Sequence, residues 1–210
     1  ESQLSAMRTI NKEYFSTDKT IKNLIAPIYK DYNLQINHTF KIGNLKSELG
    51  HYIDENKPDI IILGKRKNKI INFMGDNITE FILKKHKGTI IITDDANPLK
   101  PNKELSLGLF NNTSAKSKFT ESIINASKKP LTSFKISENS LNKEEEPILK
   151  DKKTIEYVFK KGDNAIKNIS NYVTKSNVNL LFVQRGKDNN NNVNIKEVIK
   201  KFNCSLILTT

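Results

Sequence analysis

Two periodicities alternate along this chain. Short, continuous apolar runs, Ile60–Leu63, Thr89–Thr93, Leu180–Val183 and Ser205–Thr209, have the length and composition of strands buried on both faces of a parallel sheet. Gln35–Ile42 and Thr154–Phe159 read as further strands. Between these runs the apolar spacing turns helical. Leu45, Leu49, Tyr52 and Ile53 share one helix face, as do Ile166, Ile169, Tyr172 and Val173. Both helices follow a glycine and a helix-starting residue, Gly43-Asn44 and Gly162-Asp163. Two shorter helices carry Ile78, Phe81 and Ile82, and Ile195, Val198, Ile199 and Phe202. Strand–helix alternation of this kind predicts right-handed crossovers and a layered α/β fold.

The pattern occurs twice. Phe40 matches Phe159 and Gly43 matches Gly162 at an offset of 119. Tyr52 matches Tyr172, and Ile60–Leu63 matches Leu180–Val183, at 120. Residues 78–92 align with 194–208 at 116. Three collinear segments with small gaps read as a tandem duplication.

The second copy also has a front half: a strand at Glu104–Phe110, a helix at Ser114–Lys128 and a strand at Leu131–Ile136. That makes five strands. The first copy has only the helix Thr20–Tyr32 and a less regular piece before it, so two strands are missing. Residues 96–104, with two prolines, read as the linker between copies, and 137–153 as a polar connection inside the second. The expected domains are therefore 1–97 and 103–210.

Composition narrows the class. Of 210 residues, 36% are hydrophobic and 28% charged, as in a soluble globular protein, and no apolar run is long enough to span a bilayer. The single cysteine, Cys204, allows no intrachain disulfide; it points to a reducing cytoplasm and reads as a small buried residue. A net charge of +12 raises nucleic acid as a partner. Against it, Arg8, Arg66 and Arg185 are the only arginines, and the lysines are spread along the whole chain. His38, His51 and His86 are too scattered for a zinc site, and no catalytic constellation follows from spacing.

The stretches PDIIILG, GDNITEFILKKHKG and TIIIT resemble the universal stress protein family in its tandem form, over about residues 33–95 and more weakly 104–209. The resemblance implies two doubly wound, parallel, five-stranded sheets of order 3-2-1-4-5, similar to adenine nucleotide alpha hydrolases, the first incomplete at its N-terminus. It also implies pairing through the last strand, as a homodimer or as a pseudo-dimer of the two repeats. In that fold the first strand is central, so the first copy calls for an upstream extension or an element from another chain.

ATP-binding members carry Gly, two residues, Gly, nine residues, Gly, then Ser or Thr; the glycines let backbone approach phosphate. Gly64 stands at the first position and Gly75 at the third, but Lys67 replaces the second glycine. The loop is two residues short, and Asp76 sits in place of Ser or Thr, where it would cap the helix Asn77–Lys85. In the second copy Gln184 takes the first glycine position, and Leu109 and Phe110 stand where the family often has an aspartate. The resemblance thus leads to a non-enzymatic, cytoplasmic stress-response or regulatory module that requires no cofactor, holds no metal and acts on a protein partner. Two alternatives remain. One is a sensor of ATP or AMP through Gly64, Lys65, Arg66, Gly75, Asp76 and Asn77. The other is the cytosolic regulatory part of a membrane transporter.

Overall fold

A computed structural model describes residues 3–65, 77–111, 118–137, 152–185 and 194–209. The chain divides into two units, Glu1–Tyr52 and Ile53–Thr210.

The first unit is dominated by α1 (Gln3–Tyr32), which carries Pro27 within it. Asn33 adopts φ 51° and ends the helix, its amide donating to the Tyr29 carbonyl. The chain then turns back on α1: His38 Nε2 lies 2.6 Å from Asp18 Oδ1, and the Phe40 ring meets Tyr14 edge-on at 5.4 Å. Helix α2 (Leu45–Asn56) begins where expected, with Asn44 Oδ1 accepting from the Ser47 amide. The expected strand Gln35–Ile42 does not form. A strand needs a neighbour to accept and donate its ladder bonds, and no described strand pairs with this segment. Within it Ile36 and Ile42 are exposed, while Phe40 packs on Tyr14 of α1.

The second unit is built on one sheet rather than the two five-stranded sheets expected. Its strands are β1 (Ile60–Lys65), β2 (Thr89–Asp94), β3 (Leu107–Phe110), β4 (Leu131–Ser137), β5 (Thr154–Lys160), β6 (Leu180–Gln184) and β7 (Ser205–Thr209). They lie in the order β1-β2-β7-β6-β3-β4-β5, so the order across the whole sheet also differs from expectation. Every neighbouring pair is parallel except β2 and β7. The helices α3 (Ile78–Lys85), α4 (Lys118–Ala126), α5 (Ala165–Lys175) and α6 (Ile195–Lys201) lie on connections between parallel strands.

The antiparallel seam has a telling register. Ile91 faces Ile207, with Ile90 opposite Leu208 and Ile92 opposite Leu206. The repeat offset of 116 makes Ile91 and Ile207 equivalent residues, so equivalent strands meet at their own equivalent midpoint. That is the geometry of a local two-fold axis.

Burial follows strand position. In β6, flanked by β3 and β7, Phe182 is fully buried; its equivalent in β1, Ile62, is 64% exposed. No described residue pairs with the outer edge of β1. Full burial of such a side chain is worth about 1.5–3 kcal/mol, so β1 forgoes much of what β6 gains. One side of the sheet packs Leu107, Leu109, Ile124, Leu131, Leu180, Phe182 and Ile207 together. Phe110 meets Phe202 edge-on at 5.8 Å. A Cβ on Gly108 would come within 2.6 Å of Leu181, which explains glycine in the crowded strand β3.

Candidate functional site

The candidate loop leaves β1 at Gly64 and Lys65 and re-enters described structure at Asn77; Arg66, Gly75 and Asp76 lie outside the described residues. Gly64 pairs with Thr93 across β1 and β2. Its φ is not positive, and among the described residues a Cβ there would meet only Thr93 Oγ1, at 4.0 Å. The fold therefore does not need glycine at this place. Gly64→Ala is expected to raise the unfolding free energy by about 0.4–1 kcal/mol, measured by urea titration.

Lys65 points across the sheet. Its Nζ donates to the Phe202 carbonyl at 2.5 Å and stands 3.7 Å from Asp94 Oδ2, with the Lys65 side chain 14% exposed and that of Asp94 fully buried. Phe202 is the C-cap of α6, so the ammonium closes a helix end whose carbonyls lack intrahelical partners. Asp94 Oδ1 in turn accepts from the amides of Ala96 and Asn97, turning the chain out of β2. A basic residue expected to meet phosphate is thus engaged within the protein.

Asn77 precedes α3 with φ 49° and makes no side-chain cap bond. The N-cap position of α3 falls on Asn77, whereas Asp76, from which the cap was expected, lies outside the described residues. At the second copy's cap, Asn164 rather than Asp163 precedes α5. Leu109 and Phe110, where the family's aspartate would stand, are fully buried in β3. The run after Arg185 lies outside the described residues, as does most of the polar connection at 138–151.

A counterpart to Lys65 appears in the second half. Arg185 follows β6 as Lys65 ends β1, at the same offset of 120. Its Nη1 donates to Leu83 O at 2.8 Å and its Nη2 to His86 O at 2.7 Å and Gly88 O at 2.5 Å. His86 is the C-cap of α3 and the repeat equivalent of Phe202 at offset 116. Each half thus sends a cation from the end of its strand to the last helix of the other half. Burial pushes the Arg185 pKa down from its ordinary value, without threatening a charge that arginine keeps at any working pH. Lys152 repeats the device on α4, donating to the carbonyls of Ile124 and Ser127. Some of the lysine-rich composition therefore serves helix ends rather than solvent. Sequence reasoning missed Asp94 and Arg185; the offset that aligns β1 with β6 was the available signal, because it sets Lys65 against Arg185.

Glu80 also links α3 to α6. Its Oε2 is 2.8 Å from Lys196 Nζ, and its Oε1 is 3.0 Å from Lys84 Nζ. Hydrogen bonds from Lys196 and then Lys84 lower its pKa from 4.5 to about 2. Because the folded pKa is depressed, this contribution is present above about 4.5 and is lost as pH falls toward about 2. Acid titration of the thermal midpoint should show that loss in the wild type and less of it in Lys196→Ala, with salt shrinking the difference.

His86 is buried, His51 is exposed and His38 sits beside Asp18. Among the described residues no three His, Cys, Asp or Glu side chains gather where a metal ion could sit. Cys204 is buried and its pKa is raised to about 12, chiefly by burial, as befits an inert core thiol. No helix among the described residues is long and apolar enough to cross a membrane.

The mainly parallel sheet, its helical connections and its antiparallel seam set the frame for comparison with solved structures. A universal stress protein from Archaeoglobus fulgidus DSM 4304 superposes with a TM-score of 0.59 at 11% identity, covering 94% of this chain and 79% of that one. A functionally unknown protein, PA1789, from Pseudomonas aeruginosa PAO1 gives a TM-score of 0.55 at 10% identity, covering 91% and 77%. The chain has a universal-stress-protein-like fold. No family model matches the sequence, and no curated protein is similar to it.

Proposed function

We propose that this chain is a non-enzymatic regulatory or stress-response module whose two related halves pair through β2 and β7, and whose nucleotide sites have degenerated. The observation that carries this reading is the placement of Lys65. Its ammonium engages the α6 end and Asp94. The apolar end of β3, at Leu109 and Phe110, supports the same reading for the second half. The module acts in the cytoplasm by binding a protein partner, without a required cofactor. In this reading the first half is completed by a further strand on β1, supplied by upstream sequence or by another chain; the exposure of Ile62 supports it. Upstream sequence would also decide whether the module is the cytosolic regulatory part of a transporter, since membrane-spanning helices would be found there.

The rival reading is an adenine-nucleotide sensor in the first half, through Gly64, Lys65, Arg66, Gly75, Asp76 and Asn77. Gly64 favours it, because the described residues leave that backbone open without needing a glycine there. Thermal unfolding with millimolar ATP, ADP, AMP or cyclic dinucleotides separates the two. A ligand at a hundred times its Kd adds about 2.7 kcal/mol, a rise of several degrees. The degenerate-site reading expects no shift. A shift abolished by Gly64→Ala would replace it with the sensor.

A further inference from the structure

On a two-fold axis a residue close to the axis faces its own equivalent. In a dimer of identical halves that brings like against like. Here the position beside the seam on α3 is Glu80, and the offset of 116 assigns its equivalent on α6 as Lys196. The two meet, carboxylate Oε2 to ammonium Nζ, at 2.8 Å. The next position on the same helix face is lysine in both halves, Lys84 and Lys200, so the change of sign is confined to the facing pair. Two first halves joined by this seam would set Glu80 against Glu80, and two second halves would set Lys196 against Lys196. Only the pairing of unlike halves gives attraction.

From this juxtaposition we infer that Glu80 and Lys196 determine pairing specificity: they select the other half of the same chain as the partner of the β2–β7 seam, and reject a second copy's like half. This deepens the paired-halves reading proposed above and rests on it. At the strand midpoint and at the two strand-end cations the halves do not differ in the sign of their charge. Ile91 and Ile207 are the same residue at the midpoint, and Lys65 and Arg185 are both cations reaching carbonyl groups. Among the described residues, Glu80 and Lys196 form a facing pair whose sign reverses between the halves, and they discriminate through repulsion as much as attraction.

A charge swap tests the assignment on the full chain. Lys196→Glu and Glu80→Lys are each expected to lower the folding equilibrium constant about two- to five-fold, the range of an exposed ion pair. Each should also raise the fraction of dimer at high protein concentration, because every pairing, like or unlike, then sets equal charges face to face and the preference for the unlike half is gone. Combining the two substitutions should return at least half of the loss in stability and restore the wild-type monomer–dimer distribution, and about 1 M NaCl should shrink all the differences. Additive losses in the combined variant, with no recovery in either readout, overturn the assignment. Hydrogen exchange at the Ile91 and Ile207 amides in the wild-type chain tests the seam separately. Fast exchange there overturns the paired halves themselves, whereas protected amides with an additive charge swap overturn only the specificity role.

Discussion

Arg185→Ala is expected to lower the unfolding free energy by about 2–4 kcal/mol. The estimate rests on three hydrogen bonds from one half-buried guanidinium to Leu83, His86 and Gly88. Bonds to a charged group contribute about 1.5–3 kcal/mol each when a partner is removed, and such losses do not simply add. The carbonyls at the end of α3 would be left without their donor, which is the more damaging half of the change. Lysine should recover only part of the loss, because a single ammonium cannot span three acceptors as the planar fork does. Urea titration of wild type, Arg185→Ala and Arg185→Lys measures the series. Equal stability of all three would mean that the guanidinium does not hold the two halves together. Lys65→Met should follow the same direction, since it strips Asp94 of its buried cation and α6 of its cap.

Gly88→Ala is the second large effect. A Cβ at that position would stand 2.5 Å from the Asp59 carbonyl oxygen and 2.7 Å from His86 Nε2. The first of these atoms belongs to backbone on the approach to β1, so a side-chain rotation cannot relieve the contact. Overpacking of this sort costs about 1–3 kcal/mol, and the fixed neighbour argues for the upper end. Gly88 also lies where Arg185 Nη2 donates, so displacement would weaken that bond as well. The contrast with Gly64 is instructive: two glycines close to the same pair of strands, one crowded and one open. If Gly88→Ala proved as mild as Gly64→Ala, the close passage of Gly88 past Asp59 would be wrong.

Much of the architecture was legible because it is local. The apolar runs at Ile60–Leu63, Leu180–Val183 and Ser205–Thr209 became strands, and the intervening helical spacings became α3, α5 and α6. Where formation depends on a distant neighbour, the same reasoning failed. Gln35–Ile42 has a strand's alternation but no ladder, and two expected sheets are one, because joining β2 to β7 is decided by residues more than a hundred positions apart. The candidate site shows the same division. Gly64 and Lys65, expected in the loop after the strand Ile60–Leu63, are the last residues of β1, and the acceptor of Lys65, the Phe202 carbonyl, lies 137 residues away. No window of sequence around Lys65 contains that acceptor. Asp94 lay just past the expected strand Thr89–Thr93, and its role depends on the same long-range meeting.

The place of β7 has a consequence for how the chain is made. Synthesis must proceed 116 residues beyond Ile91 before Ile207, its seam neighbour, exists. Until then β2 presents a bare row of amides and carbonyls, the kind of surface on which nascent chains stick to one another. Closing so long a loop is slow, so joining β2 to β7 should be the last and rate-setting event, with β3, β4, β5 and β6 already paired and waiting.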